Sequence, residues 1–289
     1  MTKALKPLCL SVVLLLLSLM VMSSPVLAED GKLFMVDVYN SQIHELDPST
    51  GAILNTIPTP ETTGEADGLA YGNGRMFFTV WGETIYELSP STGEVLNQFP
   101  GPALDIDALA FSCDSLYALE FVESTIHVLN PNTGSPVATL DPPVFLIGGG
   151  TFAGTRNSLF FTDFDTDPDT IYELNPQNGA VLNSFLAPVD SGNLLGLGFS
   201  SSRNTLFLAD EDNLMIYEVN PNNGNIINFF EQPEGARASA LAADECVVTP
   251  PTSVIVGGEI ASESQAIILA PFIMLSVIIL AQGYIPDTP

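Results

Sequence analysis

Six acidic residues are the candidates for chemistry in this chain. They occupy recurring positions beside short apolar runs, and they are Asp37, Asp67, Asp107, Glu120, Asp163 and Asp210. Hard cations such as Ca²⁺ take six to eight oxygen ligands, and carboxylates gathered around one point can supply them. If the fold brings these residues together, the sequence predicts a cation site with Ca²⁺ as its ion. The alternative is a set of solvated acids on loop tips.

A second acidic segment, DFDTDPD from Asp163 to Asp169, looks at first like a calcium-binding loop. It fails the EF-hand pattern, because Pro168 stands where that loop requires glycine and no glutamate occupies the twelfth position. Cation binding in another geometry stays open for this segment.

The elements that must position these acids are set by an internal repeat. Five segments read alike, and each contains a proline followed three residues later by glycine: IHELDPSTGAIL from Ile43, IYELSPSTGEVL from Ile85, IHVLNPNTGSPV from Ile126, IYELNPQNGAVL from Ile171 and IYEVNPNNGNII from Ile216. The copies recur every 41 to 45 residues, which suits one four-stranded propeller blade per repeat.

Each copy contains a turn flanked by two strands. A short polar side chain, a proline that presets φ and a glycine that accepts a left-handed conformation together favour a hairpin turn. The apolar runs on either side alternate with period two, as strands do. We name these strands C and D, and two further strand-like runs upstream of them, such as Gly68–Gly72 and Met76–Trp81 in the second repeat, A and B.

The first repeat has no strand A, and the chain after the fifth repeat has one to spare. Repeat one begins at Leu33 with strand B, whereas Ala238–Asp244 resembles a strand A that no full blade follows. We therefore predict an all-β fold, a closed five-bladed β-propeller over residues 29–247, in which Ala238–Asp244 completes the first blade. Closure would remove the exposed sheet edges of an open array.

These repeats resemble the propellers of the NHL, YVTN and quinoprotein-like surface-protein type over roughly residues 31–247. The resemblance implies the architecture, but it implies no particular activity, because such folds host unrelated functions.

Charge is unevenly distributed in the predicted propeller. The A–B and C–D turns share one end, here called the bottom, and hold Lys32, Arg75, Arg156 and Arg203. The other end, the top, takes more than half of the 34 acidic residues and a single base, Arg237. A net charge of −27 argues against nucleic acid as a partner, because phosphate binding needs Lys and Arg. The top face should instead concentrate cations.

Two classes of function fit this sequence. The first is a binding or scaffold module that recognises a surface protein or a small ligand. The second is a metal-dependent hydrolase or lyase, resembling gluconolactonases or streptogramin lyases; a calcium-bearing five-bladed enzyme resembling plant-type glutaminyl cyclases is a further form of it. His44 and His127 occupy the strand C position that tyrosine holds in the other repeats, so we interpret them as packing residues. No nucleophile–base pair or phosphate loop is evident, which favours the binding module.

The two ends of the chain predict export and attachment. Lys3 and Lys6 precede an apolar run that ends in Val26-Leu27-Ala28, which indicates a signal peptide over residues 1–28. Residues 248–265 form a linker that begins Pro/Thr-rich, and residues 266–284 are an apolar segment close to the length of a membrane span. This tail resembles the C-terminal anchors of archaeal extracytoplasmic proteins, although it lacks basic residues at its end. We predict a cell-surface protein with a C-terminal membrane anchor; the alternative is an apolar peptide packed on a protein surface.

Cys113 and Cys246 are the two cysteines outside the predicted signal peptide. Cys113 belongs to the A–B turn of the third repeat and Cys246 follows the strand that closes the first. Because these blades are not adjacent, we expect their Cα atoms to lie beyond the ~7 Å limit for a disulfide, and we predict two free thiols.

Overall fold

The computed structural model describes residues 31–64, 67–81, 84–146, 148–163, 166–189 and 193–246. The predicted signal peptide (1–28), linker (248–265) and membrane anchor (266–284) lie outside the described residues. The described part of the chain belongs to a compact unit that ends at Val247, and in it no helix is long and apolar enough to cross a membrane.

The described residues form five blades, each an antiparallel sheet of four strands. In chain order the strands are β1 (Leu33–Asp37), β2 (Gln42–Leu46), β3 (Ile53–Pro58), β4 (Asp67–Gly72), β5 (Arg75–Val80), β6 (Thr84–Leu88), β7 (Val95–Pro100), β8 (Ile106–Phe111), β9 (Leu116–Glu120), β10 (Thr125–Leu129), β11 (Pro136–Leu140), β12 (Gly150–Ala153), β13 (Ser158–Asp163), β14 (Thr170–Leu174), β15 (Val181–Leu186), β16 (Leu194–Ser200), β17 (Thr205–Asp210), β18 (Met215–Val219), β19 (Ile226–Glu231) and β20 (Ala238–Ala243).

The ring is closed by the last strand. Strand β20 pairs antiparallel with β1, with Ala243 opposite Leu33, so blade one has the order β20-β1-β2-β3. The innermost strands β20, β4, β8, β12 and β16 contact one another in sequence around the central channel. This arrangement confirms the predicted five-bladed propeller and the closing role of the strand that begins at Ala238.

The C–D turns form as their sequence predicts. In blade one the side chain of Asp47 accepts the N–H of Ser49 at 2.8 Å, and its backbone carbonyl accepts the N–H of Gly51 at 2.8 Å. Gly51 has φ of +74°, a left-handed value that glycine adopts without steric cost. A register shift between Glu45 and Leu46 gives the bulge beside the turn.

Adjacent blades pack through apolar side chains and through these turns. Five apolar clusters of buried residues each lie between two neighbouring blades. The turn glycine reaches the blade before it: a β-carbon at Gly51 would lie 2.3 Å from Phe230, and one at Gly134 would lie 2.2 Å from Phe99. No side chain fits there, so glycine is required by this approach as well as by φ.

Outer strands are tied to the next blade by an asparagine side chain. Its amide donates to a backbone carbonyl in the neighbouring C–D turn, and the four described pairs are Asn55 to Ser91, Asn97 to Asn132, Asn183 to Asn222 and Asn228 to Ser49. The last pair joins blade five to blade one. Blade three has Ala138 at this position.

The basic residues on the bottom face form ion pairs within their own blades. Each pairs with the glutamate of its own strand C: Lys32 with Glu45 (2.5 Å), Arg75 with Glu87 (2.6 Å), Arg156 with Glu173 (2.8 Å) and Arg203 with Glu218 (2.8 Å). The glutamate that recurs on strand C is therefore the partner of the A–B turn base. Blade three has Ser115 and Val128 in place of that pair.

The prediction of free thiols is wrong. Cys113 and Cys246 form a disulfide with their Cα atoms 6.0 Å apart. The prediction assumed that Cys246 stays with blade one, but after β20 the chain crosses the bottom of the channel, where the A–B turns of all blades converge. The disulfide therefore links the closing segment to blade three, the blade without the ion pair.

Glu245 fixes the same crossing. It is fully buried, and hydrogen bonds of its backbone and side chain connect it to the other four blades. Its partners are the carbonyl of Tyr71, the N–H groups of Phe111, Phe152 and Gly154, and the hydroxyl of Ser201. Burial raises the pKa of Glu245 well above its usual range, which favours the neutral acid.

Candidate functional site

All six acids predicted as site residues lie at the top ends of strands. Asp37, Glu120, Asp163 and Asp210 are the last residues of the B strands β1, β9, β13 and β17, and Asp67 and Asp107 stand at the start of the A strands β4 and β8. The structure divides them into three environments instead of one ring.

Asp67 and Asp107 come together at the mouth of the central channel. The Ser239 hydroxyl donates to Asp67 at 2.6 Å, and the Gly148 N–H donates to Asp107 at 2.9 Å. Burial, with a smaller effect from the Asp107 charge, raises the pKa of Asp67 to about 6, and burial also raises the pKa of Asp107. The cavity that they line has a volume of about 10 Å³, space for about one water molecule, so it suits an ion or water and is too small for an organic ligand.

Asp37 and Glu120 lie apart from the channel mouth and from each other, each engaged within its own blade. Asp37 is 3.3 Å from Nε2 of His44 and accepts hydrogen bonds from Asn40 and from the backbone of the following turn. Glu120 is 2.8 Å from Nε2 of His127. Both histidines therefore sit on strand C beside an acid at the end of strand B.

Asp163 and Asp210 meet between blades four and five, together with Asp167 and Asp169 of the acidic segment 163–169, for which the sequence leaves cation binding in another geometry open. Burial first, and then the charges of Asp210, Asp163 and Asp167, raise the pKa of Asp169 to about 7. Asp210 is fully buried, Asp163 is 6% exposed and Asp169 is 1% exposed, whereas Asp167 is exposed. We call these four residues the blade 4/5 cluster.

One oxygen of the blade 4/5 cluster has no described partner. Oδ2 of Asp169 accepts the Leu194 N–H at 3.0 Å, but Oδ1 is buried without a hydrogen bond. The two oxygens of Asp210 accept the backbone and side-chain N–H groups of Asn213 at 3.0 and 2.8 Å. An unpaired buried carboxylate oxygen is costly, so this site is suited to a positively charged partner.

Other blades show that the fold does not require a carboxylate at the Asp169 position. The residue just before strand C is Ser41 in blade one and Ser124 in blade three. The Ser41 hydroxyl accepts the Thr63 N–H at 3.2 Å, and the Ser124 hydroxyl accepts the Leu146 N–H at 2.8 Å. A serine makes the same connection to the next loop with no charge. Aligning the repeats at this position could have identified Asp169 from the sequence.

The basic residues that the structure describes form ion pairs with acidic residues outside the blade 4/5 cluster. Besides the four bottom pairs, Arg237 on the top face pairs with Glu211 and lies 5.7 Å from the ring centre of Tyr39. Among the described residues, no group of three or more His, Cys, Asp or Glu side chains converges as the ligands of a metal ion do. The acidic residues therefore attract a cation electrostatically, but the described residues do not form a complete coordination shell.

Comparison with known proteins supports the fold. No family model matches the chain, and no curated protein matches its sequence. A chain of the nidogen/laminin complex is 12% identical with a TM-score of 0.52, over 75% of this chain and 100% of that one. The glutaminyl cyclase of Myxococcus xanthus is 14% identical with a TM-score of 0.49, over 58% of this chain and 72% of that one. At these identities the likeness concerns architecture alone: the chain is a propeller repeat protein, as its repeats indicated.

Proposed function

We propose that this chain is an extracytoplasmic binding module, held at a membrane by residues 266–284, whose acidic top face takes up a divalent cation. The observation that carries the proposal is the blade 4/5 cluster, where the buried Oδ1 of Asp169 has no hydrogen bond. The serines at the same position in two other blades indicate that this oxygen is surplus to folding.

A bound cation would relieve the electrostatic repulsion among the carboxylates of the blade 4/5 cluster. Two carboxylates ~4 Å apart repel each other by about 1 kcal/mol in bulk water and by several times more where solvent is partly excluded. A bound cation offsets that repulsion and stabilises the folded state by mass action. Oxygen ligands without sulfur or imidazole favour a hard cation, and we propose Ca²⁺.

The six acids selected from the sequence contribute unequally to this proposal. Asp163 and Asp210 belong to the blade 4/5 cluster, and we assign them to the cation site with Asp169. Asp67 and Asp107 form a second, narrower acidic position at the channel mouth. Asp37 and Glu120 pair with histidines in blades one and three, so we leave them out of the site.

An enzymatic function is not proposed. The lactonase alternative needs a carboxylate and asparagine metal set that the sequence does not match residue by residue, and the lyase alternative needs a histidine beside the metal at the channel. The chain has two histidines, and each lies on strand C next to its own acid in blade one or three.

Calcium binding is tested by calorimetric titration of the full chain in non-ionic detergent at constant ionic strength. Wild type should bind Ca²⁺, Asp169→Ser should bind it at least about tenfold more weakly, and Glu94→Gln, which removes an exposed acid on the bottom face, should bind as wild type does. Equal binding by wild type and Asp169→Ser would place any Ca²⁺ outside the blade 4/5 cluster and refute the assignment.

Membrane attachment is tested separately by fractionating cells that express the full chain or a version ending at Thr249. The full chain should sediment with membranes and require detergent for release, whereas the shorter version should be soluble. If neither version needs detergent, the anchor proposal fails and the cation proposal is unaffected.

A further inference from the structure

A groove opens on the top of blade five beside the blade 4/5 cluster, and Asn213, which lines the groove, donates hydrogen bonds to Asp210 of that cluster. It has a volume of about 450 Å³ and is lined by residues 213–215, at the turn between β17 and β18 and the start of β18, and by residues 231–236, from the end of β19 into the segment that leads to β20. This volume lies in the range of about 300–1,000 Å³ typical of small-ligand sites. The groove is therefore large enough for a side chain or a short peptide segment, which the channel mouth is not.

The two walls of the groove are held together by Gln232. Its backbone N–H donates to the carbonyl of Leu214 at 2.8 Å, and its side-chain amide donates to the carbonyl of Asp210 at 2.9 Å. Its side-chain oxygen accepts the N–H of Ala238 at 2.9 Å. Gln232 is 6% exposed, so these bonds are shielded from water. A groove fixed in this way loses little conformational entropy on binding.

Leu214 combines a left-handed backbone conformation with an exposed apolar side chain. Its φ is +54°, in the left-handed region, and its side chain is 46% exposed. The same turn position has Ser41 in blade one and Ser124 in blade three, each with φ of +52°. A bulky apolar residue is unfavourable in this region, and strained positions that persist often mark functional sites. The blade five turn thus displays an apolar side chain in the groove, where blades one and three place a hydroxyl.

The remaining lining combines apolar surface with negative charge. Met215 and Pro233 add apolar area, and Glu231 and Glu234 are exposed carboxylates that make no hydrogen bond or ion pair with the described residues. The nearby Arg237 is paired with Glu211. A ligand that fits must bring an aliphatic stem for Leu214 and a cationic head for the two glutamates.

We propose that this groove binds a lysine or arginine side chain of a partner polypeptide. Both residues bury an aliphatic stem while their charged end hydrogen-bonds to carboxylates. Charge complementarity supports such a partner, because the chain carries a net charge of −27 and its acids concentrate on this face. The proposal rests on the binding function proposed above and names the partner's chemistry.

The test measures fluorescence anisotropy of a labelled Gly/Ser peptide with two lysines against the full chain in detergent, with its lysine-acetylated form as the reference. Wild type should prefer the free-lysine peptide by about tenfold. Leu214→Ser should lose about tenfold in affinity while its melting temperature stays at or above that of wild type, since serine suits this turn. Glu231→Gln combined with Glu234→Gln should lose a similar factor, and Glu94→Gln should change little.

Three results would overturn the groove assignment: no binding at millimolar peptide, equal affinity for both peptides, or unchanged affinity in Leu214→Ser. The Asp169→Ser chain separates the two proposals. It should bind the peptide as wild type does. If wild type binds the peptide but shows no calcium binding, the cation proposal fails and the groove proposal stands. Loss of peptide binding in Asp169→Ser with an unchanged melting temperature would place the peptide at the blade 4/5 cluster and contradict the groove.

Discussion

Asp169 illustrates how one residue departs from the pattern of its repeat. The serines at its position accept a single N–H from the next loop, and Asp169 does the same with Oδ2. Its second oxygen is buried with no described hydrogen bond. The difference between the blades is thus one charge and one unpaired oxygen, which a single substitution can remove.

This charge should make stability depend on pH. The pKa of Asp169 is raised from 3.8 to about 7 in the folded protein, so its favourable contribution is complete at pH values below the unfolded pKa. That contribution is lost as pH rises through the folded pKa. The raised pKa values of Asp67, Asp107 and Glu245 act in the same direction. Without divalent cations the protein should therefore unfold more easily at pH 8 than at pH 5.

Asp169→Ser should reduce this dependence. Because serine cannot ionise, the variant should be more stable than wild type at pH 8 by about 1–2 kcal/mol, a figure discounted for solvent screening at the exposed side of the cluster. At pH 5 the difference should be smaller, because it grows as pH rises from the unfolded pKa of 3.8 toward the folded pKa of about 7. Urea unfolding in EDTA at both pH values measures this, with Glu94→Gln as control. Parallel pH profiles for wild type and Asp169→Ser would show that the carboxyl is not destabilising.

Blade three differs from the other blades in the polar contacts that hold it in the ring. It lacks the asparagine that ties an outer strand to the next blade, and it has Ala138 there. It also lacks the bottom ion pair, and it alone among the described blades has a disulfide to the closing segment. The blade with fewer polar ties is thus the one that is covalently joined to residue 246.

Restoring the asparagine should stabilise the ring. Ala138→Asn would direct an amide toward the carbonyl of Gln177, the counterpart of Ser91 and Asn132 in the next C–D turn. One added hydrogen bond should contribute about 0.5–1 kcal/mol, which raises the melting temperature by about 1–4 °C. Asn97→Ala should lower it by a similar amount. A melting temperature that falls in Ala138→Asn would mean that blades three and four do not approach as the other pairs do.

Removing the disulfide should lower the stability of the protein by more than removing one asparagine hydrogen bond does. Cys113 and Cys246 are 133 residues apart, and a loop of this length corresponds to about 5 kcal/mol of stabilisation through the unfolded chain. The double variant Cys113→Ser with Cys246→Ser should therefore unfold at clearly lower urea concentration. Thiol labelling of the denatured, unreduced mature protein should find no free thiol, and two after reduction. Two labelled thiols before reduction would contradict the bond.

At the scale of the whole molecule, the repeat made the architecture predictable. The C–D turn needs a polar side chain, proline and glycine, so each blade can be recognised from this motif in the sequence. The first blade lacks a strand A before Leu33 and a spare one begins at Ala238, which predicted that the ring closes. The path after β20 could not be predicted, because a segment that crosses the channel has no repeat partner. The disulfide and the role of Glu245 were missed for that reason.

The face on which the acidic residues lie was easier to predict than which of them come together. Strand ends gave the correct face for all six acids, since direction alternates along a blade. Which acids meet depends on the loops between blades, and these differ in length and sequence. Asp163 and Asp210 therefore meet through Asp169, whereas Asp37 and Glu120 are held by histidines one strand away.

The most direct test of the cation-binding account is the melting temperature of the full chain in CaCl2 and in NaCl at the same ionic strength, with EDTA as reference. At a Ca²⁺ concentration 100 times the dissociation constant, binding should add about 2.7 kcal/mol, or about 5–10 °C. The increment should fall by about half or more in Asp169→Ser and in Asp163→Asn combined with Asp210→Asn. If CaCl2 raises the melting temperature of wild type no more than NaCl does, the top face is a solvated acidic surface and the account is wrong.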